Sequence, residues 1–285
     1  MVASLDVFSI VLIPLTILSY LPQWDKLLTS RTTTEISLPA TLLLALSAQA
    51  QIVTMYYLFL CPPSKQYGSI ISNPPTLRDW VNLAQVLVQW GCSLVQFILV
   101  LTFASRSDST NNRHPDSATP SPTATKSSAR ISLALILLHA GFSIAWAYIM
   151  PIPTTDWLDL AFVFTLVLNN ICINPLITAA TATSFILQIR KTKKPSPGNP
   201  TSLNSTSLTL QALTFLALAV SWPARFTMPR DLWYEDGLWV VKEWYPHVGW
   251  VAVNNGIVAV GEYLVLHAVE GAGGGGSRES QALLG

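Results

Sequence analysis

Asparagine side chains inside apolar runs are the residues of this sequence best suited to hold a polar solute. Asn170 and Asn174 stand one helical turn apart, so a helix places them on one face, and Asn254 and Asn255 lie in a later run. Polar side chains inside a bilayer cost free energy and usually face the bundle interior. We expect these amides to converge near the midplane and bind a sugar or an amino acid, unless they serve only as hydrogen bonds between helices.

Glu262 is the only carboxylate well inside an apolar run, a position from which it could couple proton movement to transport. The alternative is a glutamate near its helix end that reaches water beside His267. No catalytic residue is predicted, because no nucleophile is paired with a base and no nucleotide-binding loop is present. The cysteines Cys61, Cys92 and Cys172 lack metal-ligand spacing, so we expect neither a metal nor a cofactor.

The composition indicates a membrane protein. Hydrophobic residues make up 51% of the chain and charged residues 11%, whereas a soluble domain carries roughly 25% charged residues. The formal net charge of +1 gives no reason to expect a nucleic-acid partner. The expected partners are therefore the lipid bilayer and a small polar solute.

Hydropathy predicts the elements that must position these side chains. A membrane helix needs about 20 apolar residues, and seven segments approach this length. The fifth is long and contains Asn174-Pro175, which predicts a bent helix because proline removes an intrahelical hydrogen bond. The seven segments are Leu5–Gln23, Leu38–Leu60, Val81–Ala104, Ile131–Met150, Leu158–Ile189, Leu208–Phe226 and Val248–His267.

Two of these segments end in related strings, Ser19–Gln23 and Ser184–Gln188, and each is followed by a basic loop rich in Ser and Thr. Two triplets separated by one helix insert in the same orientation, which makes a parallel repeat. We therefore predict an all-α membrane protein in which seven transmembrane helices form two parallel three-helix repeats joined by a linker helix (3+1+3). The predicted parts are a first bundle at 1–104, a disordered linker at 105–130, the linker helix at 131–150, a second bundle at 158–268 and a flexible tail at 269–285.

The string Ser19-Tyr20-Leu21-Pro22-Gln23, followed by the basic and Thr-rich loop 26–37, resembles the PQ-loop repeat family of seven-helix transporters. That family includes vacuolar basic amino acid exporters, cystinosin and the SWEET sugar carriers. The resemblance covers mainly the first 60 or so residues. It implies transport by alternating access, and it implies hinges at Pro22 with Gln23. In the second repeat Leu187 replaces the proline, so Pro175 with Gln188 would serve there.

The distribution of Lys and Arg predicts the orientation, because cytosolic loops carry the excess of positive charge. Eleven of the 16 lie in odd-numbered loops and the tail, and five in even-numbered loops. This places both glutamine-ended loops and the C-terminus in the cytosol, with the N-terminus lumenal. In the tail, Glu279 precedes the pair Leu283-Leu284 and resembles an acidic dileucine signal, which implies sorting adaptors and a vacuolar or other endomembrane.

The sequence therefore favours an integral membrane transporter of a small polar solute, an amino acid or a sugar, and not an enzyme. A membrane-embedded biosynthetic enzyme, such as a seven-helix terpene cyclase, is the first alternative. Such an enzyme needs buried acids facing a cavity, and Glu262 is the one candidate, with Asp156 and Asp159 near a lumenal end. A sorting receptor on the same scaffold is the second alternative, since fold does not fix function.

Overall fold

The computed structural model describes residues 2–60, 71–72, 74–110, 129–141, 172–193, 202–225, 245 and 249–282. Every regular element within these ranges is helical. A 3-10 turn occupies Pro223–Arg225. The α-helices are α1 (Val2–Ser30), α2 (Leu38–Leu60), α3 (Leu77–Thr110), α4 (Ala129–Gly141), α5 (Asn174–Thr192), α6 (Ser205–Ser221) and α7 (Trp250–Ala282).

Four of these helices contain stretches long and apolar enough to cross a membrane, and α4 and α6 are apolar but shorter. The four stretches are Asp6–Ser30, Leu38–Tyr56, Leu77–Ala104 and Trp250–Gly271. By length and composition, the chain is therefore compatible with a multi-pass membrane protein.

The distribution of buried and exposed side chains also fits a membrane protein. Leu138 and Val220 are each 71% exposed, whereas Thr16, Gln85 and Asn254 are fully buried. In water, exposed leucine and buried amides would both be unfavourable in such numbers, whereas inside a bilayer the apolar surface faces lipid and polar groups turn inward. The outer faces are thus suited to hydrocarbon and the interior to polar contacts.

The helix ends refine the hydropathy pattern. Helix α2 has the predicted bounds Leu38–Leu60, whereas α1 continues past Pro22 and ends at Ser30. Pro22 therefore lies inside a helix and does not terminate it. In α5, Pro175 is the second residue of the α-helix. The two residues before α5, Cys172 and Ile173, form a π-helical turn.

Two helices extend into segments predicted to lack structure. Helix α3 continues to Thr110, which is six residues into the linker predicted at 105–130, and α7 continues through the tail to Ala282. The run Gly273–Gly276 lies inside α7 although glycine has a weak helix propensity. Nothing in the described contacts explains this extension. The central linker residues 111–128 lie outside the described part of the chain.

Helices α1 to α3 form a first triplet and α5 to α7 a second. Helix α3 packs against both α1 and α2, and α7 packs in the same way against α5 and α6. The triplets meet where α1 packs against α6 and α2 against α5. Exchanging the first triplet for the second leaves this set of contacts unchanged, so the six helices form a ring with a local two-fold relation.

Helix α4 lies beside the first triplet. Its Ile136 is 5% exposed and packs with Leu42, Ala45 and Phe97 of α2 and α3. The other leucine and isoleucine side chains of α4, such as Leu137 and Leu138, are exposed. Within the described residues, α4 is thus attached to the outside of the ring and contributes nothing to its interior.

Candidate functional site

Helices α1 and α5 carry the same buried pattern at a constant spacing along the chain. Thr16 Oγ1 donates to the Leu12 carbonyl at 2.7 Å, and Thr181 Oγ1 donates to the Ile177 carbonyl at 2.9 Å. One turn further, each helix repeats the contact with a serine, at 2.7 Å for Ser19 and 2.6 Å for Ser184. The equivalent pairs, all buried, are Leu12 and Ile177, Thr16 and Thr181, Ser19 and Ser184, Tyr20 and Phe185, and Gln23 and Gln188.

The paired glutamines each hold the loop that precedes the second helix of the other triplet. In the first glutamine clamp, Gln23 Nε2 donates to the Ser202 carbonyl at 3.0 Å, and its Oε1 accepts from the Asn204 N–H at 2.8 Å. In the second glutamine clamp, Gln188 Nε2 donates to the Glu35 carbonyl at 2.8 Å, and its Oε1 accepts from the Ser37 N–H at 3.0 Å. The two glutamine clamps therefore make matching contacts in the two triplets.

The residues that the clamps hold are helix caps. Asn204 is the N-cap of α6, where its side chain accepts from the Ser207 N–H at 3.1 Å. Ser37 precedes α2, and its hydroxyl accepts from the Ala40 N–H at 3.4 Å. Because a cap satisfies the free N–H groups at the helix start, its own backbone remains available. The clamp glutamines accept hydrogen bonds from the backbone N–H groups of these two caps.

The two held loops also touch one another. The Glu35 N–H donates to Ser202 Oγ at 3.1 Å, and Lys26 Nζ donates to the Leu203 carbonyl. Ser207 Oγ, in the first turn of α6, donates to the Ser19 carbonyl at 2.6 Å. We call this side of the bundle the glutamine end. It is held shut by hydrogen bonds that run between the triplets.

A cavity lies behind this closure, between the triplets. It offers about 70 Å³ to the centres of water-sized molecules, which is room for a few waters since each needs roughly 10–15 Å³ by this measure. Ala40, Ser93 and Val265 complete its wall. Its remaining residues come as counterparts from the two triplets: Tyr20 and Phe185, Gln23 and Gln188, Ile36 and Leu203, Thr41 and Leu208, Leu44 and Gln211, and Gln96 and Glu262.

Glu262 has the one charged side chain among the described residues that line the cavity. It is 8% exposed and lines the cavity together with Tyr20. Helix α7 continues past Glu262 to Ala282, so Glu262 does not lie at a helix end. Its counterpart Gln96 has a buried Oε1 with no hydrogen-bond partner among the described residues. The cavity can thus accept hydrogen bonds from a donor-rich solute.

The predicted asparagine site is separate from this cavity. Asn174, Asn254 and Asn255 are at most 2% exposed, as expected, but none of them lines the cavity, and Asn170 lies outside the described residues. Asn254 and Asn255 follow one another in α7 and therefore point to different neighbours. Because Asn170 lies outside the described residues, the convergence of all four amides on one solute stays a prediction.

Their contacts divide between the two triplets. Asn254 Oδ1 accepts from Thr178 Oγ1 of α5 at 2.8 Å, and Thr178 also meets the Tyr245 hydroxyl at 2.7 Å. Asn255 Oδ1 accepts from Gln89 Nε2 of α3 at 3.3 Å. Gln89 and Asn255 are counterparts in the two triplets, seven residues before Gln96 and Glu262 respectively. The hydrogen bond between Gln89 and Asn255 therefore joins the two triplets, about two helical turns from the cavity.

Sequence reasoning missed most of the cavity wall, including the polar side chains of Tyr20, Gln96 and Gln211. The signal that could have found one of them is the shared spacing of Gln89 with Gln96 and of Asn255 with Glu262. The proposed sorting residues add nothing structural, because Leu283 and Leu284 lie outside the described residues and Glu279 is known only as part of helix α7.

In the part of the chain that the structure describes, these features define a helical protein with four helices apolar enough to span a membrane. Between its two triplets lies a cavity that is lined in part by polar side chains. In the described ranges, no three side chains of His, Cys, Asp or Glu come together as metal ligands. No family model, curated protein or solved structure matches this chain. Any function must therefore be argued from the cavity and its surroundings.

Proposed function

We propose that the protein is an integral membrane transporter that moves a small polar solute, an amino acid or a sugar, by alternating access. The proposal includes the seven-span 3+1+3 topology and the PQ-loop resemblance of its first 60 or so residues. It also includes a vacuolar or other endomembrane location, with the N-terminus lumenal and the C-terminus cytosolic. The observation that supports it is a cavity between two triplets with matching contacts, lined in part by polar side chains and closed at one end by hydrogen bonds between the triplets.

Alternating access requires contacts between the two repeats that can form and break as they rock. The two glutamine clamps supply four such hydrogen bonds, each between a side chain of one triplet and the backbone of the other. At roughly 0.5–1.5 kcal/mol each, they contribute about 2–6 kcal/mol to the closed arrangement. A difference of a few kcal/mol is the range that a bound solute can overcome.

The cavity wall supports a polar solute. Glu262, Gln96 and Gln211 offer a carboxylate and two amides, and Tyr20 adds a ring with a hydroxyl. Amides both donate and accept, so they can match the hydroxyls of a sugar or the amino group of an amino acid.

The decisive experiment is deletion of the gene, with small-molecule pools measured in whole cells and in purified vacuoles. Transport predicts that one polar solute moves between compartments while its total amount changes little. Loss of a compound from the whole cell with accumulation of its precursor would overturn transport and favour the membrane-bound enzyme.

The same strain tests the cavity. Re-expressed wild type should restore the pools, and Glu262→Gln should fail to restore them because the one cavity carboxylate is gone. Glu270→Gln is the matched control, since Glu270 lies two turns further along α7 and is exposed. If Glu262→Gln restored the pools fully at equal protein level, the cavity carboxylate would not be needed for the function.

A further inference from the structure

Arg225 is a buried cation at the end of the bundle opposite the glutamines. It closes the 3-10 turn that follows α6 and is 2% exposed. An ionised group removed from water costs several kcal/mol unless an opposite charge and hydrogen bonds compensate it. The question is therefore which groups compensate the charge of the buried Arg225 guanidinium.

Its contacts are all uncharged. Nη1 of Arg225 donates to Asn82 Oδ1 at 3.4 Å, Nη2 donates to Ser221 Oγ at 3.0 Å, and the guanidinium carbon lies 5.1 Å from the centre of the Trp222 ring. Within the described residues, no carboxylate lies within ion-pair distance of Arg225. Hydroxyl, amide and ring contacts solvate the cation, but no described residue balances its charge.

The described carboxylates at this end are engaged elsewhere. Asp79, one turn before Asn82 on α3, accepts from the Thr76 N–H and hydroxyl at 2.8 Å each. Asp6 pairs with Arg78 at 2.8 Å. Neither group is therefore free to turn toward Arg225 without leaving another donor unpaired.

Two donors remain unused at this point. Arg225 Nε and Asn82 Nδ2 are buried and have no hydrogen-bond partner among the described residues. Asn82 itself is fully buried. The donors come from different triplets, one from α3 and one from the turn after α6, and the two side chains already contact each other. A donor pair beside an unbalanced cation is complementary to an anion with two acceptor oxygens.

We propose that Arg225 and Asn82 form a binding site for a carboxylate group, distinct from the central cavity. The carboxylate accepts from Arg225 Nε and from Asn82 Nδ2, and its charge balances the guanidinium. The site does not depend on the proposed transport function, because it lies outside the cavity and its residues make none of the clamp contacts.

Purified full-length protein in detergent tests this site through its melting temperature, followed by tryptophan fluorescence. Sodium acetate is titrated at constant ionic strength against the sodium salt of a bulky sulfonate buffer, and sodium chloride is titrated in parallel. Ligand that binds only the folded state raises the melting temperature in a saturable way. We expect a rise of roughly 3–6 °C with acetate and a smaller one with chloride.

Two variants assign the effect. Arg225→Gln should abolish the acetate response, whereas Arg190→Gln, at an exposed position of α5, should retain it. Asn82→Asp places a carboxylate 3.4 Å or less from the guanidinium, because Oδ1 of Asn82 already accepts from Nη1 at 3.4 Å. This variant should melt higher than wild type in the absence of acetate and should no longer respond to it.

The contrary results are equally clear. A flat acetate titration of the wild type, or an acetate response that survives in Arg225→Gln, would overturn the site. An equal response to acetate and chloride would also overturn the site, because it would show that the site does not select carboxylates. If Arg225→Gln does not fold, Asn82→Asp still tests the site. An Asn82→Asp variant that melts lower than wild type and still responds to acetate would contradict the proposal.

Discussion

The two glutamine clamps reach the same geometry from different sequences. Gln23 follows a proline and Gln188 follows Leu187, yet each amide donates to a loop carbonyl and accepts from the N–H two residues later. The glutamine is thus the part that both triplets share, and the proline is an addition in one of them. The clamp therefore forms without a proline before the glutamine.

The surroundings of the clamps differ as well. Lys26, one turn after Gln23, reaches the Leu203 carbonyl of the other triplet. In the second clamp, Gln188 Nε2 instead makes an additional contact with Thr192 Oγ1 in its own helix at 3.2 Å. The first clamp therefore has an additional hydrogen bond between triplets, and the second is supported locally. Rupture of the first clamp should contribute more to opening the glutamine end.

The largest effect should come from removing both clamps. The double variant Gln23→Ala, Gln188→Ala loses four hydrogen bonds between triplets and should be destabilised by about 2–6 kcal/mol. Melting of the purified protein measures this change. The single variants rank the clamps, and a neutral double variant would show that the closure does not depend on the glutamines.

Substitution of Gly261 should give the next largest effect. Gly261 packs against Phe185, the ring that follows Ser184, and so tests one of the two equivalent rings, the other being Tyr20 after Ser19. A Cβ at Gly261 would lie 2.2 Å from Cγ of Phe185, so Gly261→Ala forces the ring away at a cost of roughly 1–3 kcal/mol. Gly91→Ala is the matched control, because a Cβ there meets nothing within 4 Å. Equal melting temperatures of the two variants would mean that Phe185 does not pack on Gly261.

Pro22→Leu makes the first triplet resemble the second and separates the clamp from the hinge. Because the same contacts form after Leu187, the variant should keep its stability to within about 1 kcal/mol of wild type. Transport measured in the deletion strain then reports on the hinge alone. A loss of stability as large as that of Gln23→Ala would show that the proline is needed to build the clamp.

The smallest effect concerns the ends of α1 and α5. Arg31, the residue after α1, has φ of 53°, a conformation that favours glycine, whereas Lys193 after α5 has φ of −71°. Arg31→Gly should therefore stabilise the protein by about 0.5–1 kcal/mol. Lys193→Gly should bring no gain, and a gain of equal size there would assign the effect to something other than backbone strain.

The sequence predicts the elements better than the contacts between them. The hydropathy pattern predicts the bounds of α2 correctly, and Ser19–Gln23 with Ser184–Gln188 identifies two equivalent helices. The partners of Gln23 and Gln188 could not be foreseen, because they are backbone groups of Ser202 and Glu35 and any residue carries those groups.

The candidate site follows the same rule. An amide in an apolar helix predicts that its side chain faces inward, which Asn254 and Asn255 do, but not which neighbour it meets. The two asparagines bind opposite triplets because adjacent helical positions differ by about 100°. Glu262 stood out in sequence as a lone carboxylate, whereas its counterpart Gln96 is recognisable only once α3 and α7 are known to be equivalent.

Helix α6 has a consequence for the surrounding lipid under the proposed topology. With 17 residues it is about 26 Å long, whereas a bilayer core is about 30 Å thick. Its outer residues Leu213 and Val220 are exposed to the acyl chains. Such hydrophobic mismatch thins the bilayer locally, so activity in reconstituted vesicles should decline as the acyl chains of the host lipid are lengthened.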